Sequence, residues 1–384
     1  MVSTVESHLH RRRREALAPF LSTPRVATYT PVLISKVENV ASRLEKCKGS
    51  AQAVDLRCLL WYMATDIITE LAFPQGTNLL GRQDIDMGYY SFQKGGQAKL
   101  HWFKHFPFLW SILKSMPPAW LLKMAPEAEI MVQWENANKK LVRGILSGND
   151  ADSKNTAFHH LIASSLPPSE KRFERLWEEV ASLMGAGGET VSNALCTTIF
   201  YVLKDDNIAQ RLTNELQESI ADSSTIPPIH VLASLPYLSA VIQEGLRKAL
   251  GVSSRFIRVD KNNATPYKSH IIPPGTAISV SSLLSNNNPV TFPDSHEFRP
   301  ERWLEGDGKA VQWRKKQVLT FGGGPRRCLG EHLAQAELFT VMAVLFRRFR
   351  LRLYETGERD VAPMYDSLFP LQWEGSKGVR VQVM

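Results

Sequence analysis

Phe321-Gly322-Gly323-Gly324-Pro325-Arg326-Arg327-Cys328-Leu329-Gly330 is the stretch around which the rest of this 384-residue chain is organised. A Gly-rich run without regular periodicity delivers one cysteine to the start of an apolar-periodic helix, which continues from Leu329 through Leu333, Ala336, Thr340 and Val344. A sulfur just ahead of a helix N-terminus lies at the positive end of the helix dipole, and Arg326 and Arg327 stand beside it. Both effects favour thiolate over thiol. The glycines let unpaired backbone N–H groups approach the sulfur closely.

Among metals that want a thiolate, haem iron held by one cysteine suits a lone Cys better than zinc, which needs three or four protein ligands. No Cys or His lies close enough in sequence to complete a zinc knuckle. The competing reading of Cys328 is an ordinary buried cysteine. The spacing F-x-x-G-x-R-x-C-x-G, met at Phe321, Gly324, Arg326, Cys328 and Gly330, resembles the haem-binding loop of cytochrome P450 monooxygenases. That resemblance implies haem b (iron protoporphyrin IX) as cofactor, with Cys328 as axial ligand of the iron and with Phe321, Arg326 and Gly330 in its binding loop. It also implies a mainly α fold with small β-sheets, and a single haem-binding domain over residues 1–384.

Composition is that of a globular protein, 43% hydrophobic and 22% charged, which excludes disorder and fibrous repeats. A formal net charge of +8 makes the chain moderately basic. Such a surface is either simply solvated or attracts an acidic partner or an anionic membrane face. Nothing resembles a nucleic-acid module. Cys47, Cys58, Cys196 and Cys328 are scattered without C-x-x-C pairs, which points to a reducing compartment. No signal peptide and no run of eighteen or more apolar residues is present.

Residues 1–22 read as a helix with Leu9, Ala16, Leu17 and Phe20 on one face. Of Arg11 to Arg14, three are expected on a solvated face. His10 and Arg14 sit one turn apart on the same side. In the resembling family this helix carries W-x-x-x-R, whose Arg bonds a haem propionate; Arg14 matches that Arg, and His10 replaces the Trp. If so, the family's membrane anchor, first strands and substrate-covering loop would precede residue 1, so the chain is expected to be N-terminally incomplete. Two further helices are expected over 26–73. Between Phe92 and Pro126, Trp102, Phe103, Phe106, Phe108, Trp110 and Trp120 crowd among Lys99, Lys104, Lys114 and Lys123. This stretch either faces the core or dips into lipid headgroups, and the resemblance, which places the pocket roof here, favours the second.

From Phe173 to about Lys204 a stripe of apolar residues holds period 3.6, the mark of a helix crossing the core. In its middle lies Ala186-Gly187-Gly188-Glu189-Thr190. Paired glycines cost roughly 1 kcal/mol each inside a helix, so a close ligand and a local kink are expected there, against a plain Gly-lined helix crossing. The segment resembles the family's A/G-G-x-D/E-T motif, which implies that Thr190 holds bound dioxygen and Glu189 supports proton delivery. Glu244 and Arg247 fall at i, i+3 on the face opposite the apolar stripe of their helix, and read bare they are a surface ion pair. The resemblance instead implies that they are buried with Arg302 and lock the fold. Residues 252–283 and 349–384 read as short strands. By the same resemblance Arg258 is a second propionate Arg and Arg326 a third, while Phe256, Ile257, Leu368 and Phe369 face substrate.

Gly322-Gly323-Gly324 lacks the Lys-Ser/Thr of a P-loop, and G-x-G-x-x-G and G-x-S-x-G are absent. The resemblance implies a monooxygenase that hydroxylates or epoxidises an apolar small molecule, using O2 and electrons from a separate NADPH-cytochrome P450 reductase. The wording from His10 to Phe20 looks like fungal members that decorate terpenoids or polyketides. Peripheral membrane contact and a place on the cytosolic face of the endoplasmic reticulum are implied as well. Two alternatives stand: a haem-thiolate isomerase or dehydratase needing no external electrons, and a truncated, haem-poor pseudoenzyme.

Overall fold

The computed structural model describes residues 4–82, 87–148 and 155–384. Its axis is one unbroken helix, Phe173–Lys204, against which the helices Leu56–Ala72, Pro236–Ala249 and Glu331–Arg348 pack. Leu56–Ala72 is buried on nearly every face, from Leu56 to Ala72. Each large aliphatic side chain sealed there contributes roughly 1.5–3 kcal/mol of apolar burial. Asp55 starts this helix by accepting hydrogen bonds from the N–H groups of Arg57 and Cys58, and Asp205 caps the helix Asp206–Ser219 in the same way.

The two glycines of the long helix lie where another helix comes close. A Cβ at Gly188 would lie 2.5 Å from Thr65 Oγ1, and one at Gly187 would lie 3.2 Å from Ile68 Cβ. Close approach of Leu56–Ala72 therefore accounts for both glycines, as a Gly-lined helix crossing requires. Helix 1–22 resolves into Ser7–Leu17 and a 3-10 turn, Ala18–Leu21. The span 26–73 holds three helices rather than two, Thr23–Thr28, Thr30–Lys46 and Leu56–Ala72. Pro24 and Pro31, each near a helix start, divide the first two.

Strands are short and peripheral. Val54–Asp55, Arg380–Val383 and Leu351–Leu353 form an antiparallel sheet with Arg380–Val383 in the middle. Antiparallel pairs join Arg258–Val259 to Ala277–Ile278, Thr265–Tyr267 to His270–Ile272, and Tyr365–Ser367 to Phe369–Leu371.

The aromatic stretch does not turn into the core. Trp102 is 59%, Phe108 59% and Trp120 64% exposed, and Phe106 and Trp110 are exposed as well. Among the described residues no helix is long and apolar enough to cross a membrane.

Candidate haem-binding site

The Gly-rich run folds into tight turns before the helix Glu331–Arg348. Gly322 and Gly324 take φ of 68° and 66°, a conformation that favours glycine. The N–H groups of Gly322, Arg327 and Cys328 are spent on the carbonyls of Leu319, Gly324 and Phe321, which shapes the loop. A Cβ built at Gly322, Gly323, Gly324 or Gly330 meets no atom within 4 Å, so the backbone presents an open, flat cradle. Cys328 is exposed at this surface.

Its thiol is not activated as expected. Protein mass behind the sulfur desolvates it and pushes its pKa up, while a hydrogen bond from the Gly330 N–H and the nearby Arg14 and Arg327 pull it down. The helix proper begins only at Glu331, so the dipole is farther away than the sequence implies, and the Glu331 carboxylate opposes ionisation. A thiolate here needs a metal cation on its open side.

Arg14 and Arg326 lie at this cradle and Arg258 lies close to Arg326, and the guanidinium groups of all three donate to backbone carbonyls. Arg14 Nη1 donates to Arg327 O at 2.7 Å, Arg326 Nη1 to Thr4 O at 2.8 Å, and Arg258 Nη1 to Ile257 O at 3.1 Å. Arg258 is close enough to disfavour the charge on Arg326, and both Arg326 and Arg14 disfavour a proton on His10. His10 is buried, and desolvation is the larger reason that its pKa falls. It is therefore a neutral imidazole with one N–H to donate. Three cations without a carboxylate call for an anionic ligand, and a lone soft donor beside them calls for a metal that accepts a single protein thiolate. The two carboxylates and the iron of haem b fit both demands.

Thr190 lies on the side of the long helix that also carries the exposed Gly185 and Ala186, and its hydroxyl donates to Ala186 O at 2.8 Å. Glu189 points elsewhere. It is buried, ion-paired with Arg57, and accepts a hydrogen bond from Gln97 Nε2 at 3.0 Å. Arg57 also donates to Asn193 Oδ1 at 2.9 Å. Desolvation is the largest single influence and opposes its charge, yet Glu189 together with Tyr90 and Cys196 offsets it, and the Arg57 pKa rises. Nothing in the sequence marked Arg57 as more than scaffold.

Glu244 and Arg247 are fully buried, which overturns the bare reading as a surface pair. Glu244 Oε1 takes Arg247 Nη2 at 2.8 Å and Arg302 Nε at 3.0 Å, while Oε2 takes Arg247 Nε at 3.0 Å and Trp303 Nε1 at 2.9 Å. Asn286, missed in the sequence, wires this group to the Cys loop. Its amide donates to Arg247 O and Thr320 Oγ1, and its carbonyl oxygen accepts Leu319 N–H at 2.9 Å. An uncharged residue in a polar run carries no pattern that could have singled it out.

Ser253 N–H donates to Leu368 O at 3.0 Å, which joins Phe256 and Ile257 to the Leu368-Phe369 turn. Leu368 holds φ of 83°, a strained value for a side chain other than glycine.

A family model described as Cytochrome P450 matches residues 1–369. A cytochrome P450 monooxygenase of Ascocoryne sarcoides, MO6277, is 34% identical over 99% of this chain and 76% of its own length. An N-acetyltryptophan 6-hydroxylase of Emericella nidulans is 34% identical over 99% of this chain and 75% of its own. A fusicoccadiene C-8 hydroxylase of Phomopsis amygdali is 32% identical over 99% and 75%. The chain thus spans about three quarters of these relatives. A crystal structure of the cytochrome P450DA heme domain superposes with a TM-score of 0.74 at 15% identity, covering 100% of this chain and 78% of that one.

Proposed function

The chain belongs to the cytochrome P450 family of haem-thiolate monooxygenases, and from that premise we propose that it hydroxylates or epoxidises an apolar fungal secondary metabolite, a terpenoid or polyketide, at a haem b held by Cys328. The observation that carries the site is the exposed thiol on a loop that Arg14 and Arg326 flank, with Arg258 beside Arg326, none of the three with a carboxylate partner among the described residues.

When bound, haem b supplies dioxygen activation, which an axial thiolate favours. The chain's own residues do the rest. Cys328 ligates from the loop side, and the Gly330 N–H tempers the charge on the sulfur. Arg14, Arg258 and Arg326, with the His10 N–H, would hold the two propionates. Phe321 and Gly330 belong to the loop that would hold the group. Thr190 can turn its hydroxyl from Ala186 O toward the open side and hold a proton there. Glu189, paired with Arg57, supports proton delivery once that pair loosens. The buried Glu244-Arg247-Arg302 group holds the loop's backing. Phe256, Ile257, Leu368 and Phe369 offer apolar contact to substrate. The relative named for hydroxylating fusicoccadiene supports an apolar terpenoid substrate.

Electrons come from a separate NADPH-cytochrome P450 reductase, and the exposed Arg11, Arg12 and Arg327 next to the cysteine loop suit an acidic donor. The exposed Trp102, Phe106, Phe108, Trp110 and Trp120, interleaved with Lys99, Lys104 and Lys123, suit peripheral contact with a lipid surface such as the cytosolic face of the endoplasmic reticulum. Residues 1–384 act together as one haem-binding unit in this reading.

The test is the difference spectrum of the reduced carbon monoxide complex. A band at about 450 nm is expected, and Cys328→Ser should abolish it while haem uptake persists in part. A native band at the position given by a nitrogen ligand would refute the assignment.

A further inference from the structure

The helix Ser7–Leu17 is poorly built to stand alone. It has eleven residues, no side-chain cap at Glu6, no acid in its first turn, and four consecutive arginines. Isolated helices of that length are marginal in water, and adjacent like charges repel. Something else must hold it where Arg14 and His10 are useful.

Arg13 supplies the hold, although Arg11 and Arg12 of the same basic run are exposed. Its side chain is only 15% exposed and Glu170 only 14%. Arg13 Nε and Nη2 donate to the two Glu170 oxygens at 2.8 Å each, a bidentate pair. The expectation that three of the four arginines are simply solvated is corrected for this one. Glu170 belongs to the 3-10 turn Pro168–Glu170 just ahead of the long helix, and Arg175 in that helix donates to Glu170 Oε2 at 3.3 Å and also pairs with Glu179. Arg13 Nη1 donates to Thr4 Oγ1 at 2.8 Å, and the backbone carbonyl of the same Thr4 accepts Arg326 Nη1 at 2.8 Å. One guanidinium therefore ties together the start of the long helix, the helix bearing Arg14, and the residue that orients Arg326. Glu170 and Arg13 stabilise each other's charged forms, with the shared hydrogen bonds as the largest cause on both sides.

We propose that Arg13, acting through Glu170 and Thr4, is a positioning residue for the cofactor site: it pins Ser7–Leu17 to the first turn of the long helix and so sets Arg14, His10 and Arg326 to receive the two carboxylates of the porphyrin. The inference rests on the haem reading above. Arg13 itself touches no cofactor. It acts by removing the freedom of the groups that do, and binding groups ordered in advance hold a ligand longer.

The experiment pairs two measurements on Arg13→Met, Arg13→Lys, Glu170→Gln and the Arg13→Met/Glu170→Gln double variant. One is amide hydrogen exchange over residues 7–17, with residues 331–348 as an internal check that the rest stays folded. The other is the rate at which haem passes to excess apomyoglobin. Arg13→Met and Glu170→Gln should each speed exchange over 7–17 by about tenfold and speed haem loss by about tenfold. The double variant should do no more than either single one, and Arg13→Lys should restore part of both. Unchanged exchange overturns the proposal, and so does faster exchange with unaltered haem loss. A native chain lacking the thiolate spectrum would sink the haem reading and this inference together. A native chain that shows it, with variants that behave like it, sinks the inference alone.

Discussion

Glu337 is the residue whose chemistry departs furthest from its composition. It lies on Glu331–Arg348, past Cys328, buried to 2% exposure, and Oε2 has no hydrogen-bond partner among the described residues. Burial alone pushes its carboxyl well above the usual range, so it stays protonated in the fold. The sign follows from linkage. Below the ordinary carboxylate pKa both folded and unfolded chains hold the proton and stability is indifferent to it. As pH rises, the unfolded chain releases the proton first, and stability falls until the raised folded pKa is passed. Glu337→Met should therefore gain stability relative to the native protein as pH rises from about 4 to about 7, by roughly 1–3 kcal/mol, read from urea unfolding of the apoprotein at both pH values. A gap that does not change with pH would contradict this. No spacing in the sequence distinguished Glu337, because an acid in an apolar-periodic helix reads as its polar side until the neighbouring helices are in place.

At the scale of elements, the Glu244-Arg247-Arg302 group shows how the same pair of residues changes meaning with context. Sequence spacing places Glu244 and Arg247 off the apolar stripe of Pro236–Ala249, and an isolated helix would leave them in water. The 3-10 turn Pro300–Trp303 and the loop before it cover that face. Arg247 Nη1 then bonds Asn286 O and Ser295 O, and Arg302 Nη1 bonds Pro293 O, so both buried cations are satisfied. Removing one partner strands the others. Glu244→Gln should cost about 3–5 kcal/mol, whereas Glu45→Gln, which breaks the exposed Lys48–Glu45 pair, should cost under about 1 kcal/mol. Denaturant midpoints at unchanged slope would measure both, and comparable losses would show that burial is not the deciding factor.

For the molecule as a whole, the exposed aromatic helices and the basic balance act together. Trp102, Phe108, Trp120 and Met124 are more than half exposed, a concentration of apolar surface that seldom faces water without a purpose. Co-sedimentation with vesicles containing anionic lipid should therefore retain the protein. The double substitution Trp102→Ser/Trp120→Ser should weaken that retention by about tenfold or more, with the lysine contribution fading as salt rises. Retention indifferent to both the substitution and the salt would count against a lipid contact.

The family, the cofactor and the long core helix were legible without coordinates, because the Cys328 loop, the Gly188-Glu189-Thr190 segment and the long apolar stripe are patterns contained in single stretches of the chain. What folding alone decided lies between distant segments. The paired glycines turned out to make room for Thr65 and Ile68, Arg57 to hold Glu189, Asn286 to join the ion group to the cysteine loop, and Arg13 to find Glu170 far along the chain. A side chain's charge state and partner depend on what desolvates it and what reaches it. Both are properties of packing across the core, which no stretch of sequence contains by itself.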